Sequence, residues 1–165
     1  MSSLEEKFKA LKGATVIKDL SVLDEEQQKL IETCKTHCAY SYSPYSNFAV
    51  GASVLLDNGE IIGGSNQENA SYPLCMCAEK TALGAASSFY PNIPIKALAV
   101  TAFKAGSFVD QTVSPCGSCR QVIAEYAQRY DQQIPIIMYS TSYTVVIDSI
   151  YRLLPINFKG DDFLI

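Results

Sequence analysis

The sequence predicts an α/β sandwich, a mixed sheet covered by helices. Two observations carry this. Apolar residues recur at period two in some segments and at helical spacing in others. The two kinds interleave as helix, hairpin, helix, strand, helix, strand.

Leu4 to Leu11 is expected to form a short helix ending near Gly13. Asp24 to Tyr40 is a stronger helix, with Leu30, Ile31, Cys34 and Cys38 as its apolar stripe. Ser21 and Asp24 resemble a capping box at its start. Phe48, Val50, Ala52, Val54 and Leu56 alternate as a strand. Asp57-Asn58-Gly59 turns it, and Glu60 to Gly64 returns beside it. Pro73 precedes a helix from about Cys77 to Phe89, and Ile95 to Phe103 reads as a buried strand. Pro115 opens a helix carrying Cys119, Val122, Ile123, Tyr126 and Tyr130. Ile134 to Tyr139 and Thr144 to Ile147 are the last strands, five in all, and Pro155 stops a final helical turn from Ile150 to Leu154.

The 165 residues fit one domain with one sizeable core. Apolar residues make up 48% and charged residues 18%, a globular rather than a disordered balance. The net charge of −4, with no run of Lys or Arg, gives no support for wrapping a nucleic acid. No stretch reaches the roughly 18 apolar residues of a membrane span. Met1 to Lys12 lacks a signal peptide's apolar core, so a cytoplasmic location is the default expectation. The six cysteines then read as thiols or metal ligands before disulfides.

Cys116-Gly117-Ser118-Cys119 alone fits zinc ligation, redox chemistry or buried thiols. Cys77-Ala78-Glu79 upstream, with Pro115 ahead of the second pair, matches the zinc-deaminase signature in its three-cysteine form. Three protein ligands leave a fourth position for water, the mark of a catalytic zinc. The expected cofactor is one Zn²⁺ per chain with a bound water or hydroxide. Three thiolates overcompensate a divalent ion and weaken it as a Lewis acid. Both cysteine positions fall where a helix begins, and helix N-termini offset such charge. Lys80 and Arg120 are cationic candidates for charge compensation. Glu79 is the natural proton carrier, a base and then an acid, in a dry pocket that raises its pKa.

At these residues the chain resembles the small, homotetrameric cytidine deaminases. The matching segments are Ser43 to Phe48, Asn66 to Tyr72, Cys77-Ala78-Glu79, Ser114 to Gln121 and Leu153 to Phe158. The likeness spans about Leu23 to Phe158, giving a deaminase domain over 21–165 and an N-terminal extension over 1–20.

The resemblance implies a three-layer α/β/α sandwich. It also implies hydrolytic deamination of cytidine and deoxycytidine to uridine and deoxyuridine with release of ammonia, as in pyrimidine salvage. Cys77, Cys116 and Cys119 would hold the zinc, and Glu79 would shuttle protons. Phe48 would pack on the base, with Ala78 also in the substrate site. Asn66 and Glu68 would bond the ribose hydroxyls. Ala70 and Tyr72 would line a site shared between subunits of a homotetramer, and Phe158 would reach into a neighbour's site. Lys80 stands where the family usually has Arg, and Arg152 where an acidic residue is common.

Other readings stand beside this one. Cys34, His37 and Cys38 lie at helical spacing and read mainly as a core stripe rather than a second metal site. Cys75 as a fourth ligand would favour a structural zinc and no catalysis. A deaminase of polynucleotides, of blasticidin-type antibiotics or of a related aminopyrimidine nucleoside shares the zinc chemistry. A polynucleotide enzyme would need a positive groove.

Overall fold

The computed structural model describes residues 3–160. Its elements in order are α1 (Leu4–Ala10), β1 (Ala14–Ile17), α2 (Glu25–His37), β2 (Ala49–Leu56), β3 (Ile61–Ser65), α3 (Ala78–Phe89), β4 (Ile95–Lys104), β5 (Ser107–Phe108), α4 (Gly117–Arg129), β6 (Ile136–Met138) and β7 (Thr144–Ile147).

One mixed sheet runs β1-β7-β6-β4-β2-β3, with β5 paired to the end of β4. The β4–β6 pair is parallel, and the other strand pairs are antiparallel. Alternation along the strands feeds two cores. Ala52, Val54 and Leu56 of β2, with Leu98 and Val100 of β4, pack with Ala82 and Leu83 of α3 and Ile123 of α4. Leu55, Ala97, Ala99 and Ile137 face the other way, against Leu30, Ile31 and Cys34 of α2. The result is the expected three-layer α/β/α sandwich.

Among the described residues the sheet has seven strands, where the sequence pattern gives five. The first addition is β1, whose four residues pair with β7 from Ala14↔Ile147 to Ile17↔Thr144. A run this short carries almost no period-two signal, and edge pairing depends on a partner far along the chain. The second is β5, returned from β4 through Ala105 (φ 52°) and Gly106 (φ 85°). Two left-handed residues in a row suit a tight hairpin turn.

A smaller correction concerns the start of α2. Ser21 lies inside a 3₁₀ turn capped by Asp19, and does not form the box with Asp24. Asp24 is itself the cap. Its Oδ1 accepts from Gln27 N–H at 2.8 Å, and Gln27 Oε1 accepts from Asp24 N–H at 3.2 Å. The C-terminal end of the expected helix tightens to a 3₁₀ turn over Cys38–Tyr40.

Gly64 sets where α3 sits. A Cβ at this position would overlap the backbone of Ala78 and Ala82. Glycine in β3 therefore lets the first turn of α3 lie directly on the sheet. That turn carries Cys77 and Glu79.

Candidate active site

Two helix starts converge at the site. Cys77 is the N-cap of α3 and Cys116 the N-cap of α4. Each therefore has extended backbone, while its helix's unpaired N–H groups lie beside it. Cys116 Sγ accepts from the Cys119 N–H at 3.4 Å, a thiol acting as a capping acceptor. Both helix N-termini favour negative charge on these sulfurs.

The Cys77 and Cys116 sulfurs stand 3.8 Å apart, and all three Sγ atoms, including that of Cys119, lie within 4.8 Å of one another. Zinc–sulfur bonds of about 2.3 Å in tetrahedral array place sulfurs about 3.8 Å apart. The donor set thus fits a zinc ion in identity and spacing. Cys75 is not part of this group. Its sulfur exchanges contacts with Asn69 instead, accepting from the N–H at 3.2 Å and donating to the carbonyl at 3.6 Å. Among the described residues the cluster offers three protein ligands, as an open catalytic site requires.

Cys77 and Cys119 are shifted in opposite directions. Hydrogen bonding from Cys119, then from Cys116, holds Cys77 below the usual thiol range, at about 6, and the charge of Lys80 adds to this. Cys119 is pushed up, because it donates to Cys77 and is buried. Between these two, negative charge is favoured on Cys77.

Glu79 is 4% exposed. Burial raises its pKa above the usual carboxylate value, and the neighbouring Cys77 charge raises it further. It lines a pocket of about 280 Å³ together with Ala78, Cys77 and Cys116. Phe48, Asn66 and Glu68 form another part of the same lining.

Asn66 is held from three sides. Its Oδ1 accepts from Val50 N–H at 2.8 Å and from the Ser41 hydroxyl at 2.5 Å, and its Nδ2 donates to the Phe48 carbonyl at 3.0 Å. These bonds fix the amide's orientation and tie it to the start of β2. One Nδ2 hydrogen is left over for a ligand. Glu68 accepts at Oε2 from the N–H groups of Tyr45 (2.9 Å) and Ser46 (3.3 Å). Hydrogen bonding from the Ser46 side chain, and from these amides, lowers its pKa.

The pocket thus gathers Phe48, Asn66, Glu68, Cys77, Ala78, Glu79 and Cys116. Cys119 lies beneath, fully buried. Ala70, Tyr72 and Phe158 do not line it; Tyr72 is 70% and Phe158 66% exposed. Lys80 is half-buried and acts on Cys77 through its charge. Arg120 points its donors elsewhere: Nε donates to the Pro115 carbonyl at 2.9 Å and Nη1 to the Leu153 carbonyl at 3.0 Å. Sequence reasoning missed Val50, Met76, Val100 and Val113 as pocket walls. The alternation that marks Phe48 and Val50 as one face held a signal for Val50. Val113 has none, because it lies on an irregular approach to Cys116.

Cys34, His37 and Cys38 are not among the ligand clusters found in the described residues. Cys34 Sγ donates to the Ile31 carbonyl at 3.1 Å, Cys38 Sγ to the Cys34 carbonyl at 3.7 Å, and His37 stacks edge-on against Tyr40.

Comparison with known proteins agrees with this geometry. A family profile described as "Cytidine and deoxycytidylate deaminase zinc-binding region" matches residues 24–131. A cytidine deaminase of Sporosarcina psychrophila is 38% identical over 135 residues, 82% of this chain and 93% of that protein. A probable cytidine deaminase of Dictyostelium discoideum is 33% identical over 141 residues, 85% of this chain and 88% of that protein. Among solved structures, the cytidine deaminase from Burkholderia pseudomallei superposes with a TM-score of 0.68 at 37% identity, covering 79% of this chain and 98% of that one. On its fold, its cysteine cluster and these relatives together, the chain belongs to the zinc-binding cytidine and deoxycytidylate deaminase family.

Proposed function

We propose that the protein is a zinc-dependent cytidine deaminase, converting cytidine and deoxycytidine with water to uridine and deoxyuridine plus ammonia. One observation carries the reading. Three sulfurs at zinc-ligand spacing stand together, and two of them, Cys77 and Cys116, line a pocket with the buried carboxyl of Glu79. The curated relatives named as cytidine deaminases support the substrate.

Cys77, Cys116 and Cys119 would hold the zinc, which when bound supplies a Lewis acid that acidifies water. Glu79 does the proton work. Its raised pKa suits a group that takes a proton from water and delivers it to N3 of the pyrimidine, then takes the proton of the hydroxyl added at C4 and hands it to the amine, which leaves as ammonia. Phe48 packs against the base. The free Nδ2 hydrogen of Asn66 and the Glu68 carboxylate bond the ribose hydroxyls. Ala78 lies against the reacting ring. Lys80 offsets thiolate charge. Arg120 contributes by bracing the ligand loop through Pro115.

The chain is further assigned to a homotetramer with shared sites. Tyr72 and Phe158 are exposed, as are Tyr40, Tyr42, Leu74 and Met76. Tyr72, Leu74 and Met76 follow one another along an exposed stretch, which supports a contact surface there. Ala70 and Tyr72 would then line the site across the subunit boundary, with Phe158 supplied by a neighbour. The assigned place is pyrimidine salvage in the cytoplasm, which the six free thiols suit. Residues 21–165 would be the deaminase domain and 1–20 its extension. No helix among the described residues is long and apolar enough to cross a membrane.

The test is loss of cytidine absorbance on adding purified protein, with and without zinc. Turnover with zinc that stops after chelation and returns on re-addition is the expected outcome. No turnover of cytidine or deoxycytidine by the zinc-loaded protein would overturn the reading.

A further inference from the structure

Phe48 lines the pocket, yet its ring packs into neither core cluster. Its backbone is well held. The N–H donates to the Ser46 hydroxyl at 3.1 Å, and the carbonyl accepts from Asn66 Nδ2 at 3.0 Å. These bonds place the Cα and leave the ring to turn about its side-chain bonds. A surface for packing a flat base needs a fixed plane, because contact is lost when the ring swings.

Lys104 supplies a contact that fixes it. Its Nζ stands over the Phe48 ring, 5.8 Å from the centroid, within reach of a cation–π interaction. The strand register explains the meeting. Ala49 of β2 pairs with Phe103 of β4, and one step further sets Phe48 beside Lys104. Side chains alternate across a sheet, so Lys104 shares the face of Ala102 and Val100, and Val100 lines the pocket. Lys104 is not among the lining residues, so its ammonium meets the ring from outside the pocket.

The hairpin that carries Lys104 is braced on its other face. Phe108 of β5 packs edge-on against Phe103 at 5.3 Å and against Tyr139 at 6.1 Å. Lys35 of α2 lies over the Tyr139 ring at 4.3 Å and the Phe108 ring at 5.9 Å. The Val109 N–H donates to the Ala102 carbonyl at 3.1 Å. Aromatic packing thus anchors the hairpin to the α2 layer, and the opposite face presents Lys104 to Phe48.

We propose that Lys104 is a positioning residue that holds the ring of Phe48 in the plane that packs on the pyrimidine. The inference rests on the deaminase reading above, and within it on the role of Phe48. Lys104 acts on the nucleoside only through the ring. The short hairpin through β5 thereby contributes to substrate binding from outside the pocket.

The test uses the zinc-loaded protein. Lys104→Met keeps the length of the side chain and removes its charge. The expected result is a KM for cytidine raised about two- to fivefold, the worth of one exposed cation–π contact. Turnover at saturation and zinc content should stay as in the parent. Affinity for the product uridine, read by calorimetry without turnover, should weaken by the same factor. Lys104→Arg should restore both, because a guanidinium makes the same contact. In a Phe48→Leu background no ring remains, so Lys104→Met should add no further loss. Unchanged KM and uridine affinity in Lys104→Met would overturn the proposal. So would a loss that Arg does not restore, or an equal loss in the Phe48→Leu background, which would put the ammonium on the nucleoside itself. Phe48→Leu alone tests the reading beneath. If it leaves KM unchanged, the base-packing role of Phe48 falls and the proposal falls with it. If it raises KM while Lys104→Met does not, only the assignment of Lys104 falls.

Discussion

Cys77 and Cys116 each occupy the residue that caps a helix, and their sulfurs meet at 3.8 Å. The metal centre is therefore built from the starts of α3 and α4 rather than from any one loop. Removing one sulfur removes a ligand and also an acceptor for the Cys119 amide. Cys116→Ala is expected to purify with less than a tenth of the parent's zinc, against about one zinc per parent chain. Elemental analysis reads this directly, and full zinc in the variant would displace Cys116 from the ligand set.

Glu79→Gln keeps the shape of the side chain and loses its proton. Turnover should fall by about 10²- to 10⁴-fold with zinc retained. Burial raises the pKa of Glu79 in the fold, so stability is lowered in full above that pKa, and the cost shrinks as pH falls through it and is gone only below the unfolded-state carboxylate value. The metal-free Gln variant should therefore melt at a higher temperature than the metal-free parent at neutral pH. Near-parent turnover would remove Glu79 from its assigned role.

The acid limb of the pH profile should report the same group. A protonated Glu79 cannot accept a proton, so kcat/KM is expected to fall as pH drops through a value above the ordinary carboxylate range. Hydrogen bonds shift Glu68 the other way, keeping it ionised across that range. Its contribution to nucleoside binding should be flat there. A limb at or below the usual carboxylate value would contradict the burial argument.

Lys80 lowers the Cys77 pKa by its charge, while Arg120 spends its donors on carbonyls. Lys80→Gln should weaken zinc binding by up to about fivefold, the scale of one solvent-screened charge pair. Lys80→Arg should hold it. Competition with a chelator measures both, and equal affinities for parent and Gln variant would leave charge compensation to the helix ends.

Gly64→Ala pushes a methyl group into the backbone of Ala78 and Ala82. A destabilisation of about 1–3 kcal/mol is expected from overpacking. Zinc affinity should drop with it, since α3 cannot shift without moving Cys77. Denaturant melts and zinc titration on the same sample would show whether the two effects travel together.

Deleting residues 1–17 removes β1 and the buried Phe8. It also uncovers the edge of β7, and open edges invite pairing between chains. Lower melting temperature and concentration-dependent aggregation are expected, with zinc content per folded chain unchanged. A truncated protein as stable and as soluble as the parent would show the strand to be dispensable.

Much of this was written locally. Period-two and helical patterns placed the long elements, Asp57-Asn58-Gly59 marked the β2–β3 turn, and the spacing of Cys77, Glu79, Cys116 and Cys119 announced the chemistry. Those signals survive in sequence because backbone geometry repeats over a few residues, and because a metal needs particular donor atoms. Tertiary structure decided the rest. That β1 joins β7, that Arg120 braces Pro115 and Leu153, and that Gln121 grips Phe158 are matters of which distant groups meet. A polar side chain has several possible partners, and its sequence position does not choose among them. The choice is made when the sheet and its helices pack and each buried donor must find an acceptor.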